Sequence, residues 1–446
     1  MQEHGAVADS KKSDLSFLLR KGGLAFMLRG TTMAGQYLLV FTLARLYGPA
    51  VMGNFTIALT ILQLFAILTQ LGLDNRLVRV VAAANNAQDI DRIRTSYLQS
   101  LRLTLVSSVL GSAFIFFFSG WIASAWFHKP QLEESLRYIG IALTPFVLMG
   151  LNGAGFRGLK NMTGFLLFRG LIPFLAVIPL FFSTSLSPAF AYTFATFILC
   201  AGSFVTWYQY ASLEKGVIAT KESATQILTE AFPMMLTGSI FFLLNWTDNL
   251  MLGILRTEKE VGLYDTGFKI ASASGIVLMA FNSIQAPQIS ANFTAGKINL
   301  LNRQVQQATK LIFYITVPFT LVLFIFPESI LNIFGPEFIA AKNTMLILAF
   351  GNFINCISGS VGILLQMTGN QQVYNKIVVI AAVGSIVLNF YLIPAYGIAG
   401  AAISSCLAKI FHNIASVIYA YRKMGVLTFY FPGINSLLPV NKSTAS

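Results

Sequence analysis

The sequence predicts an all-α polytopic membrane protein of about twelve transmembrane helices in two pseudo-symmetric six-helix bundles. Three observations carry this. The 446 residues are 55% hydrophobic and 11% charged, with mean hydropathy +0.69, whereas soluble domains carry about 25% charged residues. Long apolar runs recur along the chain, each near the ~20 residues that cross a hydrocarbon core of about 30 Å. The two halves also echo one another at an offset near 209 residues. Disorder is excluded by 39 Phe, 15 Tyr and 4 Trp, which give the chain ample apolar surface to bury.

Apolar runs fall at 24–47, 51–73, 96–127, 136–156, 163–183, 187–211, 227–254, 262–293, 304–333, 342–366, 375–393 and 396–421, each suited to one tilted helix. Residues 1–23 read as a cytoplasmic N-terminal segment, 24–212 as the first bundle and 213–226 as a cytoplasmic linker. Residues 227–421 then form the second bundle and 422–446 a cytoplasmic tail. Met1 to Arg20 is polar and has no apolar core before a small-residue site, so no cleaved signal is expected. Cys200, Cys356 and Cys406 lie inside apolar runs without a CxxC pair and are expected to pack as small hydrophobes.

The net charge of +13 is mostly topology. Of 30 Lys and Arg, seven fall within spans and five, Lys129, Arg137, Arg256, Lys259 and Lys342, in outer loops; the remaining eighteen lie inside if the N-terminus is cytoplasmic. That asymmetry obeys the positive-inside rule and puts both termini in the cytoplasm. Nucleic acid is therefore not an expected partner. The short outer loops leave no room for an external polymerase site, and the chain has no P-loop, HExxH or Gly-x-Ser-x-Gly. Asp89-Ile90-Asp91 reads as a solvated loop turn rather than a metal motif.

The repeat is clearest where Leu46 to Phe55 lies over Leu255 to Tyr264, with Gly53 over Gly262 and Phe55 over Tyr264. Both stretches form the first outer hairpin of six spans. Two six-span repeats in the same orientation imply parallel bundles with substrate handled near the midplane.

Lys21-Gly22-Gly23, Ala44-Arg45-Leu46-Tyr47-Gly48-Pro49 followed by Gly53-Asn54-Phe55, the Gly72 to Arg76 turn and Arg157-Gly158-Leu159 resemble polysaccharide biosynthesis proteins, the Wzx-type lipid-linked oligosaccharide flippases. The C-terminal half adds Leu365-Gln366-Met367-Thr368-Gly369-Asn370, Leu388-Asn389, and Ile393-Pro394-Ala395-Tyr396-Gly397-Ile398-Ala399-Gly400-Ala401-Ala402. The resemblance spans nearly the whole chain. It implies the multidrug/oligosaccharidyl-lipid/polysaccharide (MOP) exporter superfamily, with a MATE-like fold that alternates access between two bundles. It further implies a transporter, not an enzyme, that flips an undecaprenyl-pyrophosphate-linked oligosaccharide across the bacterial cytoplasmic (inner) membrane. That cargo would be an O-antigen, capsule or exopolysaccharide repeat unit, so lipopolysaccharide assembly is among the expected pathways. Membrane lipids, a polysaccharide polymerase and chain-length machinery are the expected partners.

A charge at the bilayer centre costs about 2.5–3.5 kcal/mol, so each intramembrane base needs a reason. Arg29, Arg102, Arg169 and Lys310 lie within about 8–10 Å of the inner surface, close enough to snorkel. Arg45 sits similarly near the outer surface. Lys409, about 18 Å from either end of its span, is expected to face a cavity. Ser405, Lys409, His412 and Ser416 share one helical face, and a hydrogen-bonded interhelical seam would give the same pattern. Polar stripes run along the first span (Arg29, Thr32, Gln36) and the second (Thr56, Thr60, Gln63, Gln70, Asp74).

Asp265 and Lys269, an i, i+4 pair, are read most simply as an internal salt bridge; unpaired, Lys269 would be an outer-third cation. Asn245 and Asp248 share the seventh span, and Asp248 is a candidate for a coupling proton or sodium ion or for pairing with a base on a neighbouring helix. No other cofactor or metal is expected.

The excess of intramembrane bases favours an anionic substrate. Arg29, Arg169, Lys409 and Lys269 are the expected cations along a pyrophosphate path through a cationic cleft, with Gln36, Gln63, Gln70 and Asn245 as polar lining. Moving two negative charges out of a negative interior gains about 4.6 kcal/mol at about 100 mV. A multidrug or cation antiporter would need acids deep in its path, and a non-transporting scaffold of a glycan-assembly complex would be indifferent to these charges.

Overall fold

The structure is a computed structural model that describes residues 2–210 and 222–432, with side chains from Gly30 onward except at 162, 210, 237, 241 and 244. Among the described residues there is no strand. The chain runs α1 (Gln2–Gln70), α2 (Leu73–Asn86), α3 (Ile90–Trp121), α4 (Leu132–Gly158), α5 (Met162–Phe182), α6 (Pro188–Tyr210), α7 (Ala224–Leu255) and α8 (Glu258–Ser272). It continues as α9 (Gly275–Thr294), α10 (Ile298–Ile325), α11 (Pro327–Asn332), α12 (Lys342–Ile357), α13 (Val361–Met367), α14 (Gln371–Tyr396) and α15 (Ile398–Met424).

Eight of these segments are long and apolar enough to cross a membrane, and three bent pairs bring the number to eleven. The longest, Gly30–Gln70, has 41 residues, about 62 Å at 1.5 Å per residue, twice the hydrocarbon thickness. It is broken at Gly48, whose φ of 75° is non-helical and which precedes a proline that lacks an amide donor. That break makes two spans of one, so each of the twelve expected spans has its helix. Bends of 49° between α8 and α9 and of 44° between α12 and α13 lie within single expected spans.

Helix ends follow local chemistry. Thr257 and Glu260 form a reciprocal capping box at the start of α8, satisfying amides that the first turn leaves orphaned. Asp89, expected in a solvated turn, is the N-cap of α3 and accepts from the Arg92 amide at 2.9 Å. The stretch 73–86, expected as loop, is the amphipathic helix α2, with Leu73, Arg76, Leu77, Val80, Val81 and Ala84 on its buried face. Gly72, at φ 74°, separates it from α1, so Asp74 belongs to α2 and not to the polar stripe of the second span.

The chain divides into two compact units that do not follow chain order strictly: Met1–Tyr47 with Ile57–Phe242, and Gly48–Thr56 with Leu243–Ser446. In the first, α4 is the most enclosed helix and packs against α2, α3, α5 and α6. In the second, α12 packs against α8, α10 and α15. Large apolar side chains such as Phe117 (79% exposed) and Phe182 (87%) point outward, which suits a lipid solvent and not water.

In the second unit Gly53 and Gly262 lie back to back. A Cβ on Gly53 would meet the Glu258 carbonyl oxygen at 1.8 Å, and one on Gly262 would meet the Pro49 carbonyl oxygen at 2.0 Å. Only glycines permit this approach. The repeat also recurs in side-chain bonds at the ends of α1's first span and of α7. Tyr47 donates to the carbonyls of Ser183 and Leu186 in the first unit. Its counterpart 209 residues later, Arg256, donates to those of Ile393 and Pro394 in the second.

After α15, Gly425 takes a left-handed φ of 67° and the chain turns back. The Leu427 amide donates to Asn302 Oδ1 and that of Tyr430 to the Ile357 carbonyl, both at 3.0 Å. This part of the expected tail is thus packed on its bundle; residues 433–446 and the linker residues 211–221 lie outside the described residues.

Candidate functional site

In the first unit, Gln70 ends α1 and Arg169 sits on α5; the two approach at Gly150 of α4. A Cβ there would stand 2.5 Å from Gln70 Nε2 and 2.6 Å from Arg169 Nη2. The missing side chain therefore lets an amide donor and a guanidinium share one spot. Gln70 is buried and its Nε2 has no hydrogen-bond partner. Arg169 is partly exposed as a residue and its guanidinium lies 5.0 Å from the Phe146 ring, a cation–π contact that leaves its N–H edge to meet an acceptor. Asp74 acts on Arg169 electrostatically, but no hydrogen bond or ion pair joins them. Two donors without an acceptor, one of them buried, make a place for an anionic oxygen.

The second unit holds a caged carboxylate. Asp248 of α7 is 8% exposed. It accepts from Tyr264 Oη and Asn389 Nδ2, each at 2.6 Å, and from Ser405 Oγ. These donors come from α8, α14 and α15, and all are neutral. The expected alternative, pairing with a neighbouring base, is not formed among the described residues. Asn389 is fully buried and its Oδ1 has no partner, an unused oxygen beside a carboxylate. As it stands the cage is a set of neutral donors, two hydroxyls and an amide N–H, that offsets the carboxylate charge without a base.

Lys409 does not stand alone in a cavity. Its Nζ donates to Asn352 Oδ1 at 2.9 Å and lies 5.3 Å from the Phe268 ring, which joins α15 to α12 and α8. Around it Asn413 Nδ2 donates to Asn355 Oδ1, and His412 Nδ1 meets only its own helix at the Ala408 carbonyl. Ser405 and Lys409 thus bond between helices, whereas His412 does not and Ser416 Oγ has no partner. Lys269 forms the salt bridge with Asp265, at 2.5 Å, and Thr56 also donates to that carboxylate at 3.2 Å. Its charge is offset before any substrate is considered.

Of the remaining expected residues, Gln36 and Asn245 are exposed and Gln63 is half-buried. The Arg29 side chain lies outside the described residues. Sequence reasoning missed Tyr264, Asn389 and Asn352, since each becomes a partner only through tertiary packing. The available signal was polarity inside apolar runs: Asn389 already stood in the Leu388-Asn389 motif. It also placed Arg76 in a loop, whereas Arg76 is 1% exposed and bound to Glu222 and Glu230.

Residues 18–293 match the polysaccharide biosynthesis protein family, and residues 233–393 match the MatE family. The chain is 24% identical over 201 residues to a probable low-salt glycan biosynthesis flippase, Agl15, of Haloferax volcanii, a stretch covering 43% of this chain and 42% of that relative. It is 24% identical over 176 residues to a probable flippase, AglR, of the same organism, covering 39% and 37%. These matches span less than half the length of either relative. Among solved structures, an inward-facing MATE family transporter of the MOP superfamily aligns with TM-score 0.73 at 14% identity, covering 88% of this chain and 94% of that one. The lipid II flippase MurJ in an inward closed conformation aligns with TM-score 0.71 at 13% identity, covering 88% and 87%. The architecture is that of a multi-pass membrane protein of the MOP superfamily. Within it, the chain belongs to the polysaccharide biosynthesis protein family.

Proposed function

We propose that the protein is a flippase, a transporter rather than an enzyme, that moves a polyprenyl-pyrophosphate-linked oligosaccharide from the inner to the outer leaflet. The observation that carries this reading is the meeting of Arg169 and Gln70 at Gly150, two donors that lack an acceptor. A pyrophosphate crossing hydrocarbon must exchange its hydration for fixed donors, and a guanidinium beside an amide supplies them with directional bonds. The membrane potential supplies the drive, since a negative interior expels anions. The proposed carrier is undecaprenyl pyrophosphate, in a bacterial cytoplasmic membrane with both termini inside. The glycan is a repeat unit for O-antigen, capsule or exopolysaccharide that a polymerase and its chain-length partner then use.

Asp248 is the proposed coupling site. To hold a sodium ion its carboxylate would need the Asn389 amide turned to present Oδ1 and the Ser405 and Tyr264 hydroxyls rotated away from donating, and occupancy by that ion or by a proton would bias the packing of α7, α8, α14 and α15. A multidrug cation antiporter is less well supported, because the bases within the spans outnumber the acids, chiefly Asp248 and Asp265.

The test uses proteoliposomes containing lipid-linked oligosaccharide, with an impermeant glycosidase reporting the outer leaflet. The intact protein should expose the protected pool, and Arg169→Gln should slow this about tenfold, the scale of about 1.4 kcal/mol. A protected pool that stays closed with the intact protein would contradict the reading.

A further inference from the structure

On α3, Arg94, Tyr97, Leu98 and Leu101 share one face at i, i+3, i+4 and i+7; on α6, Phe204, Trp207 and Tyr208 do likewise. The two faces line a cavity of about 470 Å³ in the first unit. Its walls are anchored on α4. Tyr97 Oη donates to Asn152 Oδ1 at 2.6 Å, and the Trp207 ring meets those of Tyr97 and Phe156 at 5.0 and 5.3 Å.

The lining is ordered along the helices. Arg94 is in the first turns of α3 and Tyr208 in the last turn of α6, whereas Leu101 lies about 10 Å deeper. Charge at the mouth, amphipathic rings below it and aliphatic side chains beneath reproduce the order of a lipid headgroup, glycerol region and acyl chain. Between Ile90 and Arg102, α3 carries Arg92, Arg94 and Arg102 against one acid, Asp91, a balance that attracts anionic lipid. Trp207 is 1% exposed and its Nε1 has no hydrogen-bond partner.

A second groove of about 330 Å³, between α5 and α6 at the opposite end of the unit, is lined by Leu175, Ile178, Phe182, Phe194 and similar residues with no charged side chain. Only the end that the Lys and Arg distribution assigns to the cytoplasm is built for a headgroup. We propose that the α3–α6 groove binds one anionic glycerophospholipid of the inner leaflet, a resident lipid distinct from the transported substrate.

The test is native mass spectrometry of the purified full-length protein with palmitoyl-oleoyl phosphatidylglycerol or phosphatidylcholine. One phosphatidylglycerol should be retained in preference to phosphatidylcholine. Arg94→Gln should cut that preference about fivefold, matching about 1 kcal/mol per basic residue at the membrane surface. Leu101→Trp, which fills the deep end without changing charge, should reduce retention of both lipids. Equal retention of the two by the intact protein would overturn the proposal. So would an unaltered preference in Arg94→Gln, or displacement of bound phosphatidylglycerol by equimolar undecaprenyl phosphate, which would assign the groove to the substrate carrier.

Discussion

Gly53 and Gly262, 209 residues apart and equivalent in the internal repeat, touch each other: each leaves room for the backbone carbonyl of the other helix's preceding turn, Glu258 for Gly53 and Pro49 for Gly262. The contact is reciprocal, as at a two-fold interface. Thr56 and Asp265, one turn on and also 209 residues apart, are joined by a hydrogen bond. The sequence repeat is therefore a spatial relationship and not chance similarity of apolar runs.

Replacing Gly53 or Gly262 by Ala should be severe, because the obstacle is backbone and cannot rotate away; overpacking of this kind costs about 1–3 kcal/mol or more. Either variant should lower the thermal midpoint of the detergent-solubilised protein or fail to accumulate. Gly384→Ala, where a Cβ meets nothing within 4 Å, should be neutral or stabilising by up to about 1 kcal/mol. Equal midpoints for Gly53→Ala and Gly384→Ala would contradict the close approach.

The Asp248 cage predicts a graded series in transport. Asp248→Asn removes the carboxylate and should abolish any dependence of flipping on a sodium or proton gradient. Tyr264→Phe and Ser405→Ala each remove one donor worth about 1.5–3 kcal/mol to a charged partner and should weaken ion dependence without eliminating it. Gradient dependence that persists in Asp248→Asn would remove this residue from coupling.

Arg76 is buried at one end of α2 and is held by Glu222 and Glu230, with Glu230 also bound to Arg79 at 2.9 Å. Breaking a fully buried pair costs about 3–5 kcal/mol, and the half-exposed glutamates reduce this to about 1–3 kcal/mol. Arg76→Ala should thus lower the thermal midpoint by several degrees, whereas Arg79→Ala, whose side chain is 58% exposed, should shift it little. Similar midpoints for both would contradict the burial argument.

Gly150 offers a test of the donor pair that leaves every charge in place. Gly150→Ala would put a methyl where Gln70 Nε2 and Arg169 Nη2 now converge. It should slow flipping as Arg169→Gln does, by about tenfold, while Arg102→Gln, an exposed base elsewhere in the same unit, should not. If Gly150→Ala flips at the normal rate, the convergence is incidental.

The spans were legible because bilayer thickness imposes a length on each apolar run, and the Gly48-Pro49 break because backbone chemistry is local. The Gly53–Gly262 pairing was visible as an alignment, though not as a contact. Helix α2 was missed although Leu73, Leu77, Val80, Val81 and Ala84 carry the 3.6-residue period, since Arg76 and Arg79 make the stretch read as solvated. Asp248 was singled out by its charge in a span, yet its partners were not, because Tyr264, Asn389 and Ser405 meet only when four helices pack. Lys269 and Lys409 show the limit of depth arguments: both are intramembrane cations, and both have partners, Asp265 and Asn352, that depth alone does not reveal.

The most direct test of the central claim is the leaflet distribution of lipid-linked oligosaccharide in cells depleted of this protein and then complemented with it or with Arg169→Gln at matched expression. Depletion should cause inner-leaflet accumulation that the intact protein reverses and Arg169→Gln does not. An unchanged distribution on depletion would contradict the assignment of flipping to this chain, and full reversal by Arg169→Gln would contradict the role of its guanidinium.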